Sequence, residues 1–268
     1  MKHFVKARYR LIVFVLFSFV IALYAWTYAN APFSEIANMY ILNGGSTIAA
    51  ALAAIILTRI VFFFQAGEPP RLIWVSFAIC LWLWTIAEGY WGYLYTTVGE
   101  VPLFSAADVL WLIGYIALTF SIAQQYLLVY LSQKATVLWA ALGIWFAILV
   151  AIETILLATH STAPMEDFFR YFYLFADATV GLSALYLVRA FRGRTLAIPW
   201  LTISSFVVTD ILYIRLTDSG YYDYVMKGVS IALIADTLYL TAYLIVAWGA
   251  LEQYLLLKAS ALQAQANS

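Results

Sequence analysis

Six carboxylic acids stand inside long apolar stretches of this sequence: Glu88, Asp108, Glu153, Asp177, Asp210 and Asp236. A charged side chain at the centre of a bilayer costs at least about 2.5 kcal/mol by insertion scales, so each acid is expected to face a bundle interior or a water-filled cavity. Their neighbours recur at helical spacing. Asp108, Trp111 and Tyr115 fall at i, i+3 and i+7 on one helix face, and Asp236, Tyr239 and Tyr243 repeat that face. Glu88 is flanked by Trp84, Trp91 and Tyr95, and Asp210 by Tyr213 and Thr217. Carboxylates set among aromatic rings suit a small ligand, above all a cationic one, and a buried carboxyl can carry a proton. The same acids would also serve structure, accepting hydrogen bonds from hydroxyls on neighbouring helices and holding the bundle in register. Arg170, Arg215 and Lys227 would then supply counter-charge at the rim.

The elements that position these residues follow from composition. Of 268 residues, 65% are hydrophobic and only 10% charged, whereas a soluble domain carries roughly a quarter charged residues. Too little polar surface exists to coat a water-soluble globule. Apolar stretches long enough to cross a hydrocarbon core of roughly 30 Å run over 9–29, 39–64, 71–97, 102–131, 135–158, 164–191, 195–218 and 225–255. The fold class expected is an all-α integral membrane protein of eight transmembrane helices, one membrane domain over 1–268, with 257–268 as a cytoplasmic tail. Lys2, Lys6, Arg8 and Arg10 precede the first apolar run and Ala29-Asn30-Ala31 resembles a cleavage site, but the run is long and Pro32 follows. It reads as an uncleaved first helix.

With the N-terminus inside, eleven basic residues fall on the cytoplasmic side and three outside (Arg170, Arg215 and Lys227). That satisfies the positive-inside bias and places both termini in the cytoplasm. Arg59 and Arg189, at cytoplasmic helix ends, read as snorkelling anchors. The segment NGGSTIAAALAAIIL carries small residues that let backbones approach, which predicts a helix at the bundle centre. One cysteine, Cys80, excludes a disulfide framework, and two histidines leave no basis for a histidine-rich zinc or bis-histidine haem site. Neither a phosphate loop nor a Ser-His pair is present, net charge is zero, and no cofactor, metal, catalytic residue or nucleic-acid partner is expected. Lys227 lies too near the start of its helix for a retinal lysine.

The chain also repeats itself. Residues 107–128, ADVLWLIGYIALTFSIAQQYLL, and 235–256, ADTLYLTAYLIVAWGALEQYLL, share nine of 22 positions, Asp, Gln and Tyr among them. Upstream, 87–95 aligns with 209–217, setting Glu88 against Asp210. Repeat one covers about 9–131 and repeat two about 135–256, a 4+4 arrangement of parallel repeats. Five of the acids (all but Asp177) then lie in the outer halves of their helices. They form two-fold-related acidic, aromatic-walled surfaces opening outward.

The stretch from Glu88 through Val101-Pro102-Leu103-Phe104-Ser105-Ala106-Ala107-Asp108 to Leu112-Ile113-Gly114-Tyr115 resembles the N-terminal multi-helix membrane domain of bacterial and archaeal diguanylate cyclases and histidine kinases. The second half, from Trp200 through Gly220-Tyr221-Tyr222 to Asp236 and Tyr243, looks similar. Phe104 departs from the pattern, where proline usually precedes the serine, and no output domain follows Ser268 in this sequence. The chain therefore reads as a stand-alone relative or as the input domain of a longer sensor. The resemblance implies signal input across the inner (plasma) membrane. The expected function is a sensory, ligand-binding module taking a small ligand from outside at Glu88, Asp108, Trp111, Tyr115, Asp210, Asp236, Tyr239 and Tyr243. The last helix would signal to a cytoplasmic partner. Other readings are a small-solute or proton-coupled transporter, an accessory subunit of a membrane complex, and an intramembrane lipid hydrolase.

Overall fold

A computed structural model describes residues 2–99, 104–129, 134–160, 163–218 and 230–267, with side chains described except at 2–7, 134–142, 166, 217–218 and 264–267. The described residues form eight α-helices: α1 (Lys2–Asn30), α2 (Glu35–Val61), α3 (Pro69–Val98), α4 (Ala106–Val129), α5 (Lys134–Thr159), α6 (Pro164–Ala190), α7 (Ile198–Asp218) and α8 (Ile231–Asn267). A short 3₁₀ turn, Thr195–Ala197, leads into α7, and no strand occurs among the described residues. Among the described residues seven helices are long and apolar enough to cross a membrane. In α5 the described apolar stretch is the shorter Gly143–Thr159.

Local chemistry sets the helix ends. Ser34 caps α2 through its hydroxyl, which accepts from Ala37 N, and Asn38 closes the α1–α2 turn by bonding both backbone groups of Phe33. Pro69 and Pro164 open α3 and α6, where a missing N–H costs nothing. Gly99, at φ 81°, ends α3 in the left-handed region. Within the helices, hydroxyls such as Thr58, Ser76, Thr85 and Thr96 donate to the carbonyl one turn earlier, so few remain unpaired in an apolar surround.

The packing closes a ring. Helices α2, α3, α4, α6, α7 and α8 touch in that order, and α8 returns to α2. Helix α1 lies outside the α8/α2 seam and α5 outside the α4/α6 seam. Across the ring's centre α3 faces α7 through aromatic pairs: Phe77 stacks on Trp200 at 5.9 Å, and Trp84 on Phe206 at 5.0 Å. Polarity is inverted relative to a soluble protein. Phe14, Ile48, Phe62 and Phe146 are each 70% or more exposed, while Asp177, Ser121 and Glu252 are at most 2% exposed. An apolar exterior of this extent is a lipid-facing surface; the chain is a multi-pass membrane protein.

Three expectations change. Helix α2 buries its alanine face (Ala49, Ala50, Ala53 and Ala54) between α3 and α8 but leaves Ile48 and Ile55 exposed. The most enclosed helix is α3, which packs between α2 and α4 in the ring and also meets α7 across it through Phe77 and Trp84. Residues Phe62–Phe64, expected to prolong α2, lie past its end, where Phe63 and Phe64 bond back in tighter i−3 turns. Glu153 does not face the interior: it lies on the exposed side of α5, which packs only on α6 and α4. It stands six residues from the helix end, about 9 Å at 1.5 Å per residue, so the membrane surface is within reach. Lys227, Tyr221, Tyr222 and Val101-Pro102-Leu103 lie outside the described residues.

Candidate functional site

The acids converge where α1, α3 and α7 end and α2, α4, α6 and α8 begin. There the ring encloses a cavity of about 210 Å³, floored by the Trp84–Phe206 stack. Six of the eight expected residues line it: Glu88, Trp111, Tyr115, Asp210, Asp236 and Tyr239. Tyr243 and Asp108 stand one layer behind. The pair of surfaces expected from the repeat is one shared space, because α3 and α7, which carry Glu88 and Asp210, face each other across the ring.

Each carboxylate has a distinct set of partners. Glu88, 8% exposed on α3, takes two hydroxyl donors from α8 on the same oxygen: Tyr239 to Oε1 at 2.9 Å and Tyr243 to Oε1 at 3.0 Å. The i, i+4 spacing of those tyrosines brings both hydroxyls to one point. On the opposite side, the hydroxyl of Tyr115 (α4) lies 2.5 Å from Asp177 Oδ1 on α6 and 3.1 Å from Asp210 Oδ2 on α7. The two aspartates are themselves within hydrogen-bond reach. Asp177 is fully buried, and its Oδ2 has no hydrogen-bond partner.

Asp108 is largely explained by local structure. Its Oδ2 accepts from the backbone N–H of Ser105 at 2.8 Å, while the Ser105 hydroxyl accepts from Ala107 N at 3.2 Å. Ser105-Ala106-Ala107-Asp108 is thus a capping box at the start of α4. Its other oxygen accepts from the Tyr173 hydroxyl of α6 at 3.0 Å, and Tyr173 lines the cavity. Asp108 therefore positions a wall residue rather than forming the wall.

Glycine makes the floor. A Cβ on Gly114 would run into the Trp84 indole nitrogen, which donates to the Trp111 carbonyl at 3.2 Å. The absence of a side chain at Gly114 lets the indole slide between α3 and α4, stacked on Phe206 and edge-on to Tyr115 at 5.2 Å.

No protein-family model matches the chain, and neither does any curated protein or solved structure. The site must be read from its own chemistry. Among the described residues no Lys, Arg or His lines the cavity, while Glu88, Asp210 and Asp236 do. No group of three or more His, Cys, Asp or Glu side chains suited to a metal ion occurs among the described residues.

The sequence had named Asp177 as a buried acid without placing it at the site. Tyr173 was missed, although it stands four residues before Asp177 and so on its face. Glu252 was missed altogether. At the other end of the bundle it is 2% exposed and takes both Nε and Nη2 of Arg10 at 2.7 Å each, pinning α1 to α8. A signal was available: the 107–128 repeat carries Gln124 where the 235–256 repeat carries Glu252, an acid introduced into an otherwise matching string.

Proposed function

We propose that the chain is a membrane-embedded ligand-binding input module, with the ring cavity as its receiving site and α8 as its output. The observation that carries this is convergence: acids from α3, α7 and α8 reach one aromatic-walled cavity. Helix α8 links the two ends, with Asp236 and Tyr239 at the cavity, Glu252 bound to Arg10, and a continuous course to Asn267. At 37 residues it spans about 55 Å, well beyond a hydrocarbon core of roughly 30 Å. Ligand-driven displacement of Tyr239 would be carried along that rod to a cytoplasmic partner.

The finer architecture of this reading is eight membrane crossings in two parallel halves, with both termini cytoplasmic and the cavity facing outward. Every helix pair in contact maps onto another when four is added to each number: α3–α4 onto α7–α8, α2–α3 onto α6–α7, α2–α8 onto α6–α4, α1–α8 onto α5–α4 and α1–α2 onto α5–α6. Ring pairs follow the same rule. Trp84–Tyr115, at 5.2 Å and 61°, corresponds to Phe206–Tyr243, at 4.8 Å and 58°. These correspondences support duplication; the basic-residue count supports the orientation. The resemblance to sensor input domains points the same way.

The test is a thermal-stability screen of small solutes on the chain in lipid nanodiscs, wild type against Asp108→Asn/Asp236→Asn. A solute whose stabilisation of the wild type disappears in a double variant that still inserts supports the site. If no solute shifts the wild type, or every shift survives both in this variant and in Asp210→Asn, the cavity is packing alone. Transport is the second reading, favoured by Asp177, a buried carboxylate midway along α6 and behind the cavity wall. Flux into proteoliposomes that depends on Glu88 or Asp210 would establish it in place of sensing.

A further inference from the structure

We propose that the cavity takes a small organic ammonium ion, bound at Asp210 and Glu88 in exchange for one proton shared by Asp177 and Asp210. This rests on reading the cavity as a ligand site and goes beyond it by naming the ligand's chemistry.

Charge is the first argument. Glu88 and Asp210 face a space lined by no Lys, Arg or His among the described residues. Carboxylates removed from water need a partner, and where this protein pairs one permanently it uses a bidentate arginine on Glu252. Unfilled valences are the second. Both tyrosine bonds to Glu88 fall on Oε1, and no hydrogen bond to Oε2 is formed by any described residue. The buried Trp111 indole N–H lies beside the Glu88 carboxylate without forming a hydrogen bond of good geometry. Glu88 and Trp111 both line the cavity, so a carboxylate held by neutral donors faces it. An ammonium donates to that carboxylate. Walls are the third. Trp91, Tyr213 and Tyr239 supply aromatic surface of the kind that attracts ammonium groups. The cavity has room for about seven waters at ~30 Å³ each, which limits the occupant to something near the size of choline.

The proton follows from donor counting. Tyr115 has one hydroxyl hydrogen and two carboxylate oxygens within 3.1 Å. It can donate to one. The other contact, like the Asp177–Asp210 contact, is a hydrogen bond only if a carboxyl carries a proton and donates. The groups facing this pair are Glu88 from α3, Tyr115 from α4, Tyr173 from α6, and Tyr239 and Tyr243 from α8, none of them basic. When an ammonium ion settles on Asp210, the shared proton leaves to water and the charge within the ring is unchanged. Binding therefore weakens as pH falls.

The probes are choline and ethanolamine, with 3,3-dimethyl-1-butanol as the neutral isostere of choline, propionate as an anion and KCl as an inorganic cation. They are titrated against the full chain in phosphatidylglycerol nanodiscs, read by thermal stability and tryptophan fluorescence between pH 5.5 and 8. Choline or ethanolamine should bind at millimolar concentration or better, at least tenfold more tightly than the other three, with affinity falling by up to about tenfold per pH unit for one displaced proton. Asp210→Asn should weaken binding at least tenfold. Asp177→Asn should retain binding but reduce the pH dependence to less than twofold per unit. Should Asp210→Asn fail to fold, Glu88→Gln is read in its place, with at least a threefold loss expected. Repeating the titration with phosphatidylethanolamine in the disc identifies the source: loss of the free-amine response assigns the site to a lipid headgroup, and its persistence to a soluble amine. Equal binding of the neutral isostere or KCl, a flat pH profile, wild-type affinity in folded Asp210→Asn, or no binding of either amine at 10 mM overturns the inference. A neutral or anionic hit from the solute screen that requires Asp236 would overturn it while leaving the input-module reading standing.

Discussion

The two ends of the helical ring treat buried carboxylates differently. At the end where α1 begins, Glu252 is 2% exposed and held by both arms of the Arg10 guanidinium. At the cavity end, Glu88, Asp177 and Asp210 take hydroxyl donors from Tyr115, Tyr239 and Tyr243 and no Lys or Arg among the described residues. The protein neutralises Glu252 with a cation of its own, whereas no described cation reaches Glu88, Asp177 or Asp210. A hydroxyl bond stabilises a carboxylate far less than a bidentate guanidinium does. On the proposed reading, the difference separates a fixed joint from a site that receives its charge from a ligand.

Four substitutions would break or sharpen that contrast. The largest effect is expected from Arg10→Ala, which strands Glu252 without counter-charge and should cost about 3 kcal/mol, less if water reaches the exposed side of α1. Unfolding in denaturant from nanodiscs measures it, and the Arg10→Ala/Glu252→Ala double variant should recover more than half of the loss. Next is Tyr115→Phe. Removing the one hydroxyl shared by Asp177 and Asp210 should destabilise the bundle by about 2 kcal/mol, within the range for orphaning buried polar groups. Gly114→Ala should cost about 1–2 kcal/mol by pushing the Trp84 indole off its stack, with a measurable change in tryptophan fluorescence. The smallest effect belongs to Tyr243→Phe, about 0.6 kcal/mol, typical of one interhelical hydrogen bond in a membrane protein, because Tyr239 still donates to Glu88. If Tyr243→Phe proves as costly as Tyr115→Phe, the two carboxylate sites are equivalent and the asymmetry proposed for Asp177 and Asp210 is lost.

Much of this was legible in the sequence, and the gaps have physical reasons. Helix positions follow from the length of apolar runs, a strong signal in lipid because the backbone has no other way to satisfy its polar groups. The inward face of α4 followed from the spacing of Asp108, Trp111 and Tyr115. Partnership did not follow, because Tyr115 reaches Asp177 and Asp210 across 62 and 95 residues and no local pattern encodes such a meeting. Asp108 shows the opposite lesson: Ser105-x-x-Asp108 is a local capping signature, readable from the chain alone, and it explains most of what the aspartate does. Glu153 looked like its companions because burial was inferred from depth, whereas the face presented by α5 is set by which helices it packs against.

An ammonium site in the ring requires that cations reach the cavity from the side away from the termini. Ser46 lines the cavity, and the chain's single cysteine, Cys80, is buried and replaceable. In Ser46→Cys/Cys80→Ala, a trimethylammonium-ethyl methanethiosulfonate should modify residue 46 from the outer face of sealed right-side-out vesicles at least tenfold faster than the sulfonate-ethyl reagent of similar size. Equal rates, a faster anion, or modification only from the inner face would contradict it.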